Sequence, residues 1–133
     1  MSLSPLIAAL GADSETAIVV TDGVLVEPGP TILYVNAAFE RLTGFSSEEL
    51  LGASPRKLQG QRTSLVARKA LSRALRKGER HKTTLINYRK SGEPYRCEIE
   101  LFPILAANGE LMNVVALERE IGRRPGRRPA NSV

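Results

Sequence analysis

Few side chains in this sequence combine in a way that could carry out catalysis. The 133 residues include one cysteine, Cys97, and one histidine, His81, so a disulfide framework and a cysteine-based zinc site are excluded. A single histidine also leaves little scope for a serine–histidine–aspartate triad. Asp22 and Glu27 are loop acids without a partner for general acid–base work. We therefore expect no enzymatic activity; Cys97 is predicted to be an inert core residue and His81 a surface residue.

Length and composition predict one globular domain. Hydrophobic residues make up 42% and charged residues 25% of the chain, as in ordinary soluble proteins. No apolar run approaches the length of a membrane span. The N-terminus lacks the basic segment and the long apolar segment of a signal peptide. A cytoplasmic protein without membrane contacts is the expectation.

Charge is distributed unevenly, although the formal net charge is only +5. Residues 1–52 contain seven acids and one base, whereas residues 53–90 contain twelve lysines and arginines and one acid. The basic residues near helical spacing are interpreted as a solvated helix face, because the aromatic residues of a single-strand binder are missing. The alternative is a nucleic-acid-associated regulator whose binding weakens steeply with salt. Residues 122–133 are rich in arginine, proline and glycine and are predicted to be a disordered basic tail or linker.

Periodicity predicts an α+β fold. Asn36 is a helix N-cap and Asn108-Gly109 a hairpin turn, while apolar residues alternate from Tyr95 to Leu101 as in a half-buried strand. Residues 1–13 are predicted to form an amphipathic helix or cap. Strands are predicted at 17–21, 31–35, 82–90, 94–102 and 111–121, and helices at 36–44, 46–52 and 63–77.

This element order and three stretches of residues together resemble a PAS domain. The stretches are Tyr-Val-Asn-Ala-Ala-Phe-Glu-Arg-Leu-Thr-Gly-Phe-Ser-Ser-Glu-Glu-Leu-Leu-Gly at 34–52, Pro-Arg-Lys-Leu-Gln-Gly at 55–60 and Asn-Tyr-Arg-Lys-Ser-Gly-Glu-Pro-Tyr at 87–95. The resemblance covers residues 14–121. It implies a five-stranded antiparallel sheet with short helices on one face, and a space between them for a small molecule.

Residues 52–60 are similar to the Gly-x-Asn-Cys-Arg-Phe-Leu-Gln-Gly segment of flavin-binding LOV domains. Pro55 occupies the place of the cysteine that forms their light-driven adduct, and proline has no thiol, so this chemistry is excluded. The resemblance implies three candidate polar contacts in the pocket. Arg56 would pair with a phosphate, and Gln59 and Asn87 would bond a ring edge.

Other LOV contacts are missing. The resemblance aligns Ser72 with a second phosphate-binding arginine, Cys97 with a second asparagine and Ala116 with a glutamine, and it makes Cys97 and Ala116 pocket-lining residues. Each missing polar partner costs about 1–3 kcal/mol. We therefore expect no cofactor, with weak binding of FMN and a receptor of non-adduct chemistry as the alternative. The form Ser-Pro-Arg-x-Leu-Gln at 54–59 looks more like PAS modules of diguanylate cyclases, phosphodiesterases and histidine kinases.

Apolar residues are expected on the outer face of the sheet as well. Phe102, Val115 and Leu117 are expected to face outward, away from the inward-facing apolar residues of their strands. An exposed apolar patch of this kind is normally covered. Leu6 and Leu10 of the N-terminal helix, or a second subunit, would cover it, so a homodimer is predicted. The sequence thus predicts a sensory or dimerisation module of a bacterial signalling protein, for example in two-component or cyclic-di-GMP signalling. It would pass a change in ligand or dimer geometry through residues 118–120 to an output domain.

Overall fold

The computed structural model describes residues 15–122. The predicted helix at 1–13, with Leu6 and Leu10, and the predicted tail after residue 122 lie outside the described residues. The elements are β1 (Ala17–Asp22), β2 (Ile32–Val35), α1 (Ala37–Thr43), α2 (Ser47–Leu50), a 3₁₀ helix (Pro55–Leu58), α3 (Leu65–Arg76), β3 (His81–Tyr88), β4 (Pro94–Leu105) and β5 (Leu111–Ile121). Within this part of the chain, no helix has the length and apolarity needed to cross a membrane.

The five strands form one antiparallel sheet in the order β2-β1-β5-β4-β3. The predicted α+β class is confirmed, and so is the five-stranded antiparallel sheet that the resemblance implies. The helices follow β2 at one edge of the sheet and lead to β3 at the other edge. They therefore cross one face of the sheet, which we call the inner face, and leave the other, outer face free of helices among the described elements.

Local signals explain where α1 begins and ends. The Asn36 side chain accepts a hydrogen bond from the Phe39 backbone N–H (3.0 Å), which confirms the predicted N-cap. The same side chain accepts from the Ile18 N–H (2.9 Å), so it also fixes the helix to β1. Gly44 ends the helix with φ +79°, a conformation that costs glycine little.

Two boundaries differ from the predictions for physical reasons. Helix α3 begins at Leu65 rather than at residue 63, because Ser64 is the N-cap and the Thr63 hydroxyl donates to the Ile86 carbonyl instead. Strand β4 continues past the predicted end at residue 102 and through Pro103. The first residue of β3 pairs with Leu101, so beyond that point β4 has only β5 beside it. The missing N–H of Pro103 is therefore tolerated there.

The hydrophobic core lies between the helices and the inner face of the sheet. Each helix contributes a side chain that is almost fully buried, and the strands contribute the opposite wall. The helical members are Phe39, Leu50, Leu58 and Leu75, and the strand members include Val19, Ile32, Leu85, Cys97, Ile99 and Leu101. This core holds the 3₁₀ helix and α3 at one side of the sheet, and these two elements border the candidate site.

Candidate functional site

A cavity of about 710 Å³ lies between α3, the 3₁₀ helix and the inner face of the sheet. This volume falls within the range of small-molecule and cofactor sites. Most of the wall is apolar, and its aliphatic members include Val19, Leu58, Leu71, Leu75, Leu85, Ile99, Leu101 and Val114. The predicted pocket residue Ala116 is buried in this wall between Val114 and Glu118. The walls can therefore enclose a flat, largely apolar molecule.

Asn87 provides an unsatisfied polar group in the cavity wall. It lies on β3, is 3% exposed, and faces Tyr95 across the β3–β4 ladder. Its Oδ1 atom is buried and makes no hydrogen bond within residues 15–122, and the buried hydroxyl of Tyr95, with which the Asn87 side chain interacts, makes none either. A buried acceptor left unpaired costs about 1–3 kcal/mol. The arrangement therefore suits a ligand that directs an N–H or O–H group at this position.

Glu118 is a second polar group of the wall, and the sequence argument missed it. It is 6% exposed, and its Oε1 accepts a hydrogen bond from the Cys97 thiol at 3.3 Å. Burial raises the pKa of Glu118 to about 7, against the opposing effect of that hydrogen bond. The signal was available, because Ala116 was expected to line the pocket and residue 118 follows it in the same phase of the strand.

Cys97 lies beside the cavity rather than in its wall, which differs from the expectation that it lines the pocket. Within the described part of the chain the cavity is bordered by Glu118 instead, and this residue lies next to the fully buried thiol. Burial, together with the neighbouring carboxyl group, raises the pKa of Cys97. The thiol is therefore protonated at neutral pH and unreactive.

Arg56 and Gln59 both border the cavity, but each has a protein partner. The Arg56 guanidinium donates to the carbonyls of Gly29 (2.8 Å) and Leu25 (2.9 Å), and so holds the β1–β2 loop against the 3₁₀ helix. Gln59 Oε1 accepts a hydrogen bond from Arg68 at 3.0 Å. The loop contacts leave Arg56 less free to pair with a phosphate than the resemblance implies.

Helix α3 forms the basic rim of the cavity. Ser72 lies in the wall as the alignment with LOV domains implies, and Arg73 beside it also borders the cavity. The cations that border the cavity from this helix and its C-cap are Arg68, Lys69, Arg73, Arg76 and Lys77. Of these, Arg68 is half-buried, and no group of the described residues accepts a hydrogen bond from its Nε.

Two other candidates from the sequence lie away from this site. His81 is half-buried at the start of β3 and is not part of the cavity wall as far as the described residues show. The Asp22 carboxylate accepts hydrogen bonds from the N–H groups of Val24 (3.1 Å) and Thr31 (3.0 Å). Its role is therefore to order the β1–β2 loop.

The sheet, the helices and the cavity together define the class of small α+β domains that enclose a ligand-sized space against an antiparallel sheet. The chain belongs to the PAS domain family, and the family match covers residues 17–123. This agrees with the resemblance inferred from the sequence.

Its relatives include light-responsive proteins. The chain is 32% identical over 94 residues to a blue-light-activated histidine kinase of Brucella anthropi, and the match covers 71% of this chain and 19% of the kinase. The chain therefore spans about a fifth of the length of this curated relative. It also matches the crystal structure of a Rhodobacter sphaeroides LOV protein (TM-score 0.82, 27% identity, 92% of this chain and 69% of that one). A light-oxygen-voltage domain studied with a flavin analogue matches with TM-score 0.76 and 25% identity over 92% of this chain and 87% of that one. The chain is thus a PAS sensory domain related to LOV domains and to blue-light-activated histidine kinases, which supports a role in signal transduction.

The expectation that the domain carries no cofactor is wrong. Its relatives include a blue-light-activated histidine kinase and LOV domains, and one of the matching structures was studied with a flavin analogue. The expectation counted the flavin contacts of LOV domains that Ser72, Cys97 and Ala116 do not provide. It did not include the polar groups that the fold supplies elsewhere in the cavity wall. Glu118 in the wall and the cations of α3 are such groups.

Proposed function

We propose that this domain binds a flavin in the cavity between α3 and the sheet, and that it works as a sensor without forming a covalent bond to the flavin. The buried, unpartnered Oδ1 of Asn87 in an otherwise apolar wall carries the proposal. A flavin ring has flat, largely apolar faces and a polar edge with one N–H group between two carbonyl groups. Such an edge would satisfy Asn87, and the apolar wall would pack on the faces of the ring.

The rest of the cavity suits the remainder of the molecule. Phosphate groups pair with guanidinium and ammonium groups, and the rim on α3 supplies both. Glu118 adds a second polar contact at the buried end of the cavity. The relationship to LOV domains favours flavin over other flat ligands of similar size.

Pro55 explains why the mechanism would differ from that of LOV domains. It borders the cavity at the first position of the 3₁₀ helix, where the resemblance to LOV domains implies a reactive cysteine. Proline offers no thiol, and Cys97 is buried behind Glu118. A bound flavin would therefore signal through non-covalent changes around its ring.

Replacing Pro55 with cysteine tests the flavin and its orientation together. The change is expected to leave the fold intact, because the first position of a helix tolerates any residue with suitable φ. After reconstitution with FMN, P55C should lose its visible flavin band under blue light and recover it in the dark. The wild type, whose only thiol is Cys97, is the control and should keep the band.

A P55C variant that binds FMN but shows no light response would contradict the proposed orientation of the ring. Binding by neither protein would contradict the flavin proposal itself. The readout is absorption during cycles of illumination and darkness.

Dimerisation through the outer face of the sheet is the second part of the proposal. Val115 pairs with Val20 on one side and with Phe102 on the other, and Leu117 pairs with Ile18. These five side chains, which we call the outer patch, are apolar and lie opposite the cavity; Val20 is buried and the other four are half-buried. A second copy of the chain would cover them by its own outer patch.

Replacing Val115 with glutamate is expected to convert a dimer into a monomer, because a charge would lie within the covered patch. Light scattering measures the mass of the particle. Thr84→Glu is the matched control, since this residue is exposed on the outer side of β3 and lies outside the outer patch. An unchanged dimer in V115E would exclude this interface.

Transmission to an output domain would use Arg89. Its guanidinium pairs with Glu120 near the end of β5 (2.7 Å) and with Glu93 (2.6 Å), and it donates to the Leu42 carbonyl (2.7 Å). It also lies over the Tyr95 ring, 4.2 Å from its centre. Asn87 and Glu118 line the cavity, and they lie two residues before Arg89 and Glu120, respectively. A change at the ligand could therefore reach the end of β5 through one side chain.

We propose a histidine kinase as the output, in a cytoplasmic two-component system, because the kinase of Brucella anthropi is a relative of this domain. An attached diguanylate cyclase or phosphodiesterase is the other arrangement suggested by the Ser-Pro-Arg-x-Leu-Gln segment.

A further inference from the structure

Helix α3 presents to the solvent a face of cations and aliphatic side chains. At about 100° of rotation per residue, its exposed residues fall within an arc of about 120°. We call this set, with the C-cap included, the solvent face of α3: Leu65, Val66, Lys69, Arg73, Arg76 and Lys77. Arg68 lies outside the arc and donates to Gln59 instead. The helix contains no acid, so the solvent face carries charge of one sign.

The cations of the solvent face have no counter-charge within residues 15–122. The ion pairs and cation–π contacts of this part of the chain involve none of them. The exposed cations Arg80, Lys82 and Arg119, by contrast, each pair with an acid of β4. Like charges along one helix face repel one another, and an anionic partner would relieve this repulsion.

Two aliphatic side chains lie on the same face. Val66 is 79% exposed and Leu65 is 54% exposed, and both belong to the first turn of α3. Val66 is not part of the cavity wall that the described residues form, so a ligand in the cavity would not cover it. A phosphate of such a ligand would pair with one or two of the cations and leave the others free. The solvent face therefore suits a partner outside the cavity that is both anionic and apolar.

An anionic membrane surface has both properties. Its headgroups offer phosphates to the cations, and the acyl chains beneath them offer an apolar environment to Leu65 and Val66. A nucleic acid would leave these two side chains without apolar contacts, and the solvent face lacks the aromatic residues on which bases stack. The 12 residues of α3 are about 18 Å long, so the helix can lie flat on a bilayer.

We infer that the solvent face of α3 docks on an anionic membrane surface. The four cations lie among the lipid phosphates, and Leu65 and Val66 enter the boundary between headgroups and acyl chains. The contact is peripheral, since no helix within residues 15–122 can span a membrane. It departs from the expectation of no membrane contacts, which considered only membrane spans and signal peptides. The inference goes beyond the proposed flavin function and does not depend on it.

Cosedimentation of the full-length protein with lipid vesicles tests this inference. Vesicles of equal parts phosphatidylglycerol and phosphatidylcholine are expected to bind at least about tenfold more tightly than vesicles of phosphatidylcholine alone. The variant K69Q/R73Q/R76Q/K77Q should lose at least about tenfold of the affinity for the anionic vesicles. The matched control R123Q/R124Q/R127Q/R128Q removes the same charge from the segment after β5 and should stay within about threefold of the wild type.

The variant L65Q/V66Q tests the apolar part of the contact and keeps every charge. It should bind the anionic vesicles about threefold to tenfold more weakly, because less apolar area enters the bilayer. Urea denaturation checks the folding of both α3 variants, whose midpoints should match the wild type since the replaced side chains are exposed.

Binding to neither kind of vesicle, or equally to both, would overturn the inference. Loss of affinity in the control and not in K69Q/R73Q/R76Q/K77Q would overturn it in favour of the segment after β5. An oligonucleotide that bound more tightly than the vesicles, with an affinity unchanged in L65Q/V66Q, would overturn it in favour of a nucleic-acid surface.

Discussion

Replacing Asn87 with leucine is expected to stabilise the ligand-free domain and to weaken its binding of flavin. The two side chains have similar shapes, and leucine removes a buried acceptor that makes no hydrogen bond within residues 15–122, together with the amide that interacts with the Tyr95 hydroxyl. The free energy of unfolding should rise by about 1 kcal/mol, the low end of the usual cost of an unpaired buried group, because the Tyr95 hydroxyl loses the amide beside it. Flavin should bind about tenfold to a hundredfold more weakly, because its own N–H would then be unpaired in the complex.

Urea denaturation of the ligand-stripped protein and titration with FMN measure these two effects. Asn113→Leu is the matched control, because the Asn113 amide donates to the Thr21 carbonyl at 3.1 Å. Its replacement should destabilise the domain slightly and leave flavin affinity unchanged. A destabilised N87L variant would mean that Asn87 has a structural partner, and it would remove the observation on which the flavin proposal depends.

Glu118 should make the stability of the domain depend on pH near neutrality. Burial raises its pKa in the folded state to about 7 from an ordinary value of 4.5. Between these two values the folded state holds the proton more firmly than the unfolded state does. The contribution of Glu118 to the free energy of unfolding is therefore fully present below pH 4.5 and is lost as the pH rises to about 7. The shift corresponds to about 3 kcal/mol at most.

The variant Glu118→Gln keeps the shape and cannot ionise. Compared with the wild type, it should be equally stable near about pH 4 and more stable near about pH 8. Urea denaturation at several pH values measures the difference. The neighbouring groups on β4, Cys97 and Tyr95, stay uncharged in this range because burial raises the pKa of each. Parallel curves for the two proteins would show that Glu118 stays ionised and hydrated in the cavity.

Much of the fold follows from local signals in the sequence. The Asn36 cap, the positive φ of Gly44 and the alternation from Tyr95 to Leu101 each act within a few residues, so the sequence alone indicates them. The extension of β4 through Pro103 could not be predicted in this way. It depends on where β3 begins on the neighbouring strand, which is a property of the assembled sheet.

The candidate site was predicted less completely, because contacts between distant segments decide it. Arg56 was expected to bind phosphate, yet two of its donors are directed at loop carbonyls 27 and 31 residues away in sequence. Glu118 was considered part of the exit from the domain, since an acid near the end of a strand is usually solvated. Only the register with β4 brings it against Cys97. The basic residues of α3 were considered a solvated face, because helical spacing alone does not show that these side chains border the cavity.

The most direct test of the account is the visible absorption of the wild-type protein after incubation with flavin and gel filtration. The account predicts a flavin band that elutes with the protein and keeps its intensity during blue illumination, since Pro55 provides no thiol. Flavin that elutes entirely apart from a folded protein would contradict the account. The cavity would then belong to another ligand, and Asn87 would need another partner.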